Sequence, residues 1–285
     1  MIDKAYVEIT NVCNLNCDFC IGHKRAPRYM SPDDFSLVLN RLDGRVKYLY
    51  LHLMGEPLTH PKLEEIFNIA DNHEFKIMLT TNGTLLNAKQ DILLSSQKLY
   101  KISISLHSFE GSDNGAGDID SYLDSCFDFA AESCEHGIIT VFRLWNEGGE
   151  NKQNDFIINK LHRRFPTEWS DNRSGKKIAD KLFLEWGEKF EWPSNTTVCE
   201  SHEVFCHALR DQFGVLSDGT VVPCCLDHDG VLALGNIFDK PLDEILSGDR
   251  AKRIYDGFTR HCAAEEYCLS CKRPNTYNIK KADGI

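Results

Sequence analysis

The sequence predicts an α/β fold built on parallel strands, followed by a smaller cysteine-rich domain. Three observations lead there. Strand-like and helix-like segments alternate through the first two-thirds of the chain, polar clusters recur where the strands end, and the cysteines gather near the two ends. Alternating strands and helices imply parallel pairing in a wound sheet or a barrel. The 285 residues allow one large domain, or a domain of about 200 residues plus a small second one.

Residues 4–10, "KAYVEIT", alternate as a strand does and run into "CNLNCDFC". "MSPDDFSLVLNRL" opens a helix, with Ser31 as N-cap, Pro32 at the first helical position and Asp34 three residues after the cap. Phe35, Val38, Leu39 and Leu42 follow at helical spacing. "VKYLYLHLM" is a β-rich run, then come the "GEP" turn and the helix "PKLEEIFNIADNH", with Leu63, Ile66, Phe67 and Ala70 on one face. The strand "FKIMLTT", a helix around "NAKQDILLSS" and the strand "KISISL" continue the pattern. A Gly/Asp-rich loop precedes the helix "SYLDSCFDFAAESCEHG", the strand "IITVFRL", the helix "DFIINKLHRRF" and the strand "KLFLEW". That makes about six β-α units. Barrel enzymes place their chemistry in loops after the C-terminal ends of strands, where the clusters at 13–20, 54–56, 80–83 and 105–107 fall.

The polar stretch "GEKFEWPSNTTV" (187–198) reads as a linker between domains at 1–190 and 199–285. Beyond it "FGVLSDGTVVPCC" reads as a hairpin turning at Asp218-Gly219. "PLDEILSGDRAKRIYDGF" reads as one helix, and "HCAAEEYCLSCKRP" as a short closing segment.

A net charge of −11 argues against a nucleic-acid surface, which needs a basic footprint. "MIDKAYVEIT" lacks the charged and apolar regions of a signal peptide, and no apolar run is long enough for a membrane span. A cytoplasmic location is expected, where thiols stay reduced. The 12 cysteines therefore point to metal binding or thiol chemistry rather than to a disulfide framework.

Cys13, Cys17 and Cys20 stand at C-x3-C-x2-C. A [4Fe–4S] cluster takes one thiolate per iron, so three thiolates leave one iron open, whereas a closed structural metal site uses four ligands. A zinc site completed by His23 or a distant residue is the alternative. Three core cysteines fit poorly among the polar Asn14, Asn16 and Asp18. With aromatic Phe19 before the last cysteine, the loop resembles that of the radical SAM superfamily. The resemblance implies a partial (β/α)6 TIM-like barrel in which Cys13, Cys17 and Cys20 ligate three irons. S-adenosylmethionine (SAM) would chelate the fourth and be cleaved to a 5′-deoxyadenosyl radical that takes a substrate hydrogen atom. It also implies a flavodoxin- or ferredoxin-type reductant.

Other positions match family motifs. Met54, Gly55 and Glu56 occupy the place of a Gly-Gly-Glu-like turn that meets the cofactor's amine, with Met in place of the first Gly. Asn82, in "TTNG", resembles a strand-end segment lining the active site, although any tight turn also uses Asn-Gly. One of Ser103 and Ser105 is expected to face the lumen. Ser105 is the candidate for the ribose hydroxyls. Arg143 resembles a strand-five residue that pairs with the cofactor carboxylate; a salt bridge to an unknown acid is the other reading.

Cys206, then Cys224 closing "DGTVVPC", then "CLSC" with Cys268 and Cys271, resemble a SPASM/Twitch auxiliary-cluster domain of small α+β type. One second [4Fe–4S] cluster on those four thiols is implied. Cys199 could replace one of the four, and with Cys225 and Cys262 could ligate part of another cluster. A four-cysteine zinc site has the same spacing. A closed auxiliary cluster favours net oxidation or bond formation, whereas a hydrogen-donating Cys225 or Cys126 would favour epimerisation. The family suggests oxidation, cross-linking or epimerisation of a peptide, as in maturation of ribosomal peptides. A small-molecule (aminocyclitol or sugar alcohol) dehydrogenase is the alternative, and a non-catalytic electron-relay or zinc protein a third. That the chain starts at the first strand shifts the expectation toward a small molecule, or toward a peptide delivered by a separate peptide-recognition protein.

Overall fold

The computed structural model describes residues 2–112, 117–189, 191–193 and 204–271. The chain runs through β1 (Lys4–Val7), α1 (Pro32–Leu42), β2 (Tyr48–Tyr50), α2 (Leu63–Asp71), β3 (Lys76–Thr81), α3 (Leu86–Ser95), β4 (Leu99–Ser105), α4 (Ile119–Glu135), β5 (Ile139–Glu147) and α5 (Asn154–Arg164). A short hairpin, β6 (Ser170–Asn172) and β7 (Gly175–Ala179), precedes β8 (Leu182–Glu188). The strands β1, β2, β3, β4, β5 and β8 lie side by side in that order, each parallel to its neighbour. The six parallel strands agree with the count expected from the alternation and with the partial barrel that the resemblance implies.

Each strand separates two environments by its period-two pleat. Ala5, Val7, Leu49, Ile77, Leu79, Ile102, Ile104, Phe142 and Leu144 are buried in the main core with the helix faces. Tyr6, Tyr50, Met78, Thr80, Arg143 and Glu185 alternate with them and are half-buried on the other face. Arg143 Nη1 donates to Thr80 Oγ1 (3.3 Å) from β5 to β3, passing over the intervening β4, so this face is concave and forms a lumen.

The N-cap of α1 forms as expected, with Ser31 Oγ accepting from Asp34 N at 3.1 Å and Phe35, Val38, Leu39 and Leu42 buried. We expect Ser31→Ala to cost about 1 kcal/mol in urea denaturation, the usual value of such a cap.

The C-terminal region contains β9 (Gln212–Val215), β10 (Thr220–Val222), β11 (Gly235–Asn236), α6 (Leu242–Leu246), α7 (Asp249–Thr259) and α8 (Glu266–Leu269). The hairpin turns at Asp218-Gly219, where Gly219 has φ +85° and Asp218 Oδ1 accepts from Thr220 N.

Four features differ from the sequence reading. The β6–β7 hairpin was not anticipated; it is exposed and carries little apolar pattern. The expected single helix at 241–258 is two, because Gly248 takes an extended backbone that ends α6 and starts α7. Most consequentially, β9 pairs in parallel with β1, so the second domain's hairpin extends the first domain's sheet. Of the expected linker, Gly187 and Glu188 belong to β8, and residues 194–198 lie outside the described residues. No helix among the described residues is long and apolar enough to cross a membrane.

Candidate active site

The cysteine loop is an excursion between two legs that hold each other. Asn11 Nδ2 donates to Ala26 O and Asn11 Oδ1 accepts from Arg28 N, while Thr10 Oγ1 donates to Arg28 O and Met30 N to Ile9 O. His23, the alternative zinc ligand, is engaged elsewhere: its ring nitrogens lie 2.9 Å from Asn11 O and 3.1 Å from Arg25 O. The loop then crosses the mouth of the lumen. Asn14 Nδ2 donates to Thr84 Oγ1 after β3. Cys17 bridges Ser112, and Asp18 N donates to Gly111 O after β4. Asp18 pairs with Lys189 after β8. Phe19 packs on His107 at 4.8 Å, and Trp192 Nε1 donates to Phe19 O. Phe19 thus anchors the loop through its ring and its carbonyl.

Burial makes two thiols of this loop, Cys13 and Cys17, harder to ionise. Cys17 is pushed up to about 12 by burial, with Cys13 and Cys20 adding to it, and Cys13 is also raised by burial, with Cys20 among the causes. The three sulfurs therefore share one space and would repel one another as thiolates. A positively charged iron–sulfur core relieves that repulsion, so the donor set suits such a group. Among the described residues no group of three or more His, Cys, Asp or Glu is gathered around a single ion; a cluster instead spreads its thiolates over separate irons.

The Met54-Gly55-Glu56 turn packs against the base of this loop. Gly55 has φ +75°, and Glu56 N donates to Val12 O. The Glu56 carboxylate is buried and occupied. Oε1 accepts from Leu58 N (3.1 Å) and Thr81 Oγ1 (2.7 Å), and Oε2 accepts from Asn82 N (2.7 Å). It ties the turn after β2 to the end of β3. Asn82 is likewise committed, donating to Asn14 Oδ1 and accepting from Thr84 N and Oγ1. Both side chains position the loop rather than stand open toward it.

Burial pushes Glu56 up to about 7 against those three donors. Its folded value exceeds the ordinary carboxylate value, so between about pH 4.5 and 7 the folded chain binds the extra proton and stability falls as pH rises. We expect the apoprotein to lose about 3 kcal/mol across that window by chemical denaturation. Glu56→Gln should flatten the slope.

Ser103 and Ser105 correct the sequence reading. Two residues apart on β4, they share the lumen face rather than dividing it. Ser103 is deep and buried, and Ser105 is half-exposed beside Arg143, its register partner. Arg143 stacks over Trp145 (4.4 Å), and its Nε lies 3.9 Å from Glu185 Oε2. Glu185 also lies 4.0 Å from Lys101 Nζ, so an acid partner for Arg143 is present in the lumen itself. Tyr6 and Tyr50 stack at 4.5 Å with His52 edge-on to both, and burial followed by the Arg143 charge lowers His52 to about 3. Tyr6, Tyr50, His52 and Glu185 were missed in the sequence. They sit on the alternate face of strands whose ends had been singled out, which is the signal that would have found them.

The second thiol set gathers in the C-terminal region. Cys206, Cys224, Cys268 and Cys271 line one pocket with Pro193, Leu226 and Tyr267. Burial raises Cys206 to about 11, with Cys271 and Cys225 adding to it; burial also raises Cys224 and Cys268, and both feel Cys206. Cys225 lies between the two regions: it raises Cys224 and Cys206, and also the Tyr50 phenol on β2. Cys262 is exposed, and Cys126 is buried in α4 beneath Gly83. Cys199 lies outside the described residues.

Comparison with known proteins agrees with this architecture. Residues 7–147 match the Radical SAM superfamily, and residues 206–272 match SPASM, an iron–sulfur cluster-binding domain. The class is that of an iron–sulfur enzyme working with SAM. The chain belongs to the radical SAM superfamily and carries a SPASM domain; a [4Fe–4S] cluster, SAM and auxiliary iron–sulfur binding come with that membership.

The antilisterial bacteriocin subtilosin biosynthesis protein AlbA of Bacillus subtilis is 23% identical over 94% of this chain and 66% of its own length. Streptococcus suis SuiB, bound to its precursor peptide SuiA, superposes with TM-score 0.58 at 16% identity, covering 95% of this chain and 70% of SuiB. BtrN, in complex with AdoMet and 2-DOIA, superposes with TM-score 0.60 at 14% identity, covering 92% and 88%. Curated relatives at 28–35% identity are matched over only 24–36% of their own length.

Proposed function

We propose that this enzyme oxidatively modifies a peptide, with Cys13, Cys17 and Cys20 holding the SAM-binding cluster and Cys206, Cys224, Cys268 and Cys271 holding an auxiliary one. The domains then divide at about 1–190 and 199–285, and the site works in the cytoplasm with a low-potential reductant. When bound, the cluster and SAM supply a 5′-deoxyadenosyl radical for hydrogen abstraction.

The chain's own residues frame that chemistry. Phe19 and Asp18 fix the loop on β4 and β8. Met54 and Gly55 present backbone at the loop's base, with Glu56 and Asn82 behind them. Ser105 and Arg143 stand side by side on the lumen face, suited to hydroxyl and carboxylate groups of the cofactor.

The observation that carries the oxidative reading is that Cys225, the chain neighbour of Cys224, lies near enough to Tyr50 of the lumen to act on its phenol. An auxiliary cluster held there would supply an acceptor for an electron from a substrate in that lumen, and Cys225 would be the candidate thiol to return a hydrogen atom if the outcome is epimerisation. Support for a peptide comes from AlbA, spanning nearly this whole chain, and from SuiB with its bound precursor. The likeness to BtrN, whose solved structure holds 2-DOIA, is the ground for a small-molecule substrate as the second reading.

The test is to reduce the reconstituted protein with SAM and deuterated candidates, short peptides encoded beside the gene and cyclic polyols. Label in 5′-deoxyadenosine from a peptide supports the proposal, and label from a polyol supports the second reading. Absence of 5′-deoxyadenosine with every substrate would sink both.

A further inference from the structure

We infer that Glu8 and Arg25 are positioning residues that latch the cysteine loop to the C-terminal domain and set SAM binding at one thiol site through the backbone of the other. Glu8 follows β1 and is fully buried. Its Oε1 accepts from Arg25 Nη1 (2.7 Å), Ser217 N (3.1 Å) and Ser217 Oγ (2.9 Å), and its Oε2 accepts from Arg25 Nη2 (2.7 Å) and Met54 N (3.2 Å). One carboxylate thus joins the return leg of the cysteine loop, the Met54-Gly55-Glu56 turn and the hairpin of the C-terminal domain.

Arg25 extends the chain of contacts. Its Nε donates to His228 O at 2.8 Å, and the adjacent Lys24 N donates to Asp229 Oδ1 at 2.9 Å. His228 sits four residues past Cys224 in a loop that Asp227 closes by accepting from Val231 N and Leu232 N. Tyr267, next to Cys268, donates to Leu226 O in that same loop. Two thiol-bearing segments of the second set therefore meet in the loop whose His228 carbonyl is bound by Arg25, five residues beyond Cys20. Buried bidentate guanidinium–carboxylate geometry tolerates little displacement, so order in the loop after Cys224 is passed to the cysteine loop.

This inference rests on the ligand assignment proposed above. The test uses full-length reconstituted protein and the variants R25Q and R25K, measuring anaerobic SAM binding by equilibrium dialysis, iron content, and hydrogen–deuterium exchange of residues 12–30. We expect R25Q to weaken SAM binding at least tenfold, to lose exchange protection in 12–30, and to keep the iron of the second site. Lysine keeps the charge but cannot serve both carboxylate oxygens and His228 O, so R25K should weaken binding about threefold. That graded rescue is not what general destabilisation produces. SAM binding in either variant equal to wild type overturns the latch alone, as does parallel loss of iron from both sites. A wild type that binds no SAM overturns the ligand assignment with it.

Discussion

Replacing Cys13, Cys17 and Cys20 together with alanine should reduce 5′-deoxyadenosine formation to background and remove about four of roughly eight irons per chain. The loss should be complete rather than partial, because no other thiol among the described residues lies in that loop to substitute. It should also be clean. Cys13 and Cys20 are exposed, and the loop's legs are held by Thr10, Asn11, His23 and Arg28 rather than by sulfur. Substitutions at the exposed Cys13 and Cys20 usually change stability by no more than about 0.5 kcal/mol, so what shift there is in apoprotein melting should come from the half-buried Cys17. The companion variant, with Cys268 and Cys271 changed to alanine, should lose the other four irons yet still cleave SAM while forming no product. Wild-type cleavage by the triple variant would defeat the main reading.

Much of this was legible in the sequence because it is local. The C-x3-C-x2-C loop, the Ser31 cap and the Asp218-Gly219 turn each depend on residues within a few positions of one another. The sheet order followed from chain order, since each β-α unit places its strand beside the last. What was not legible depends on contacts between distant segments. Nothing near Gln212 announces that it will pair with Lys4, and Glu8 in "YVEIT" looks like one polar position of an alternating strand. Its five bonds come from residues 25, 54 and 217, far apart in the chain. Glu56 shows a subtler limit. Its motif position was readable, but its task was not, because both oxygens are filled by groups at 58, 81 and 82 that no motif specifies.

Gly55→Ala should be the most damaging single substitution of a small residue at this site. The φ of +75° costs an L-residue about 1–2 kcal/mol. A Cβ would also stand 2.6 Å from Thr10 O, 2.7 Å from the Asn11 carbonyl carbon and 2.8 Å from Val12 O. These are backbone atoms at the base of the cysteine loop, so no side chain can swing aside to make room. Relief requires moving the turn, which breaks the bond from Glu56 N to Val12 O and pulls on the Glu56 contacts to β3. Overpacking of this kind adds about 1–3 kcal/mol. Urea denaturation should show a loss of about 3 kcal/mol or more, and SAM affinity should fall at least tenfold. Gly44→Ala isolates the two contributions. Gly44 has φ +68° but nothing within 4 Å of the added carbon, so only the backbone strain applies. That variant should lose about 1 kcal/mol and bind SAM as wild type does. If both variants lose the same stability and Gly55→Ala keeps its SAM affinity, the close packing of this turn against the cysteine loop does not govern cofactor binding.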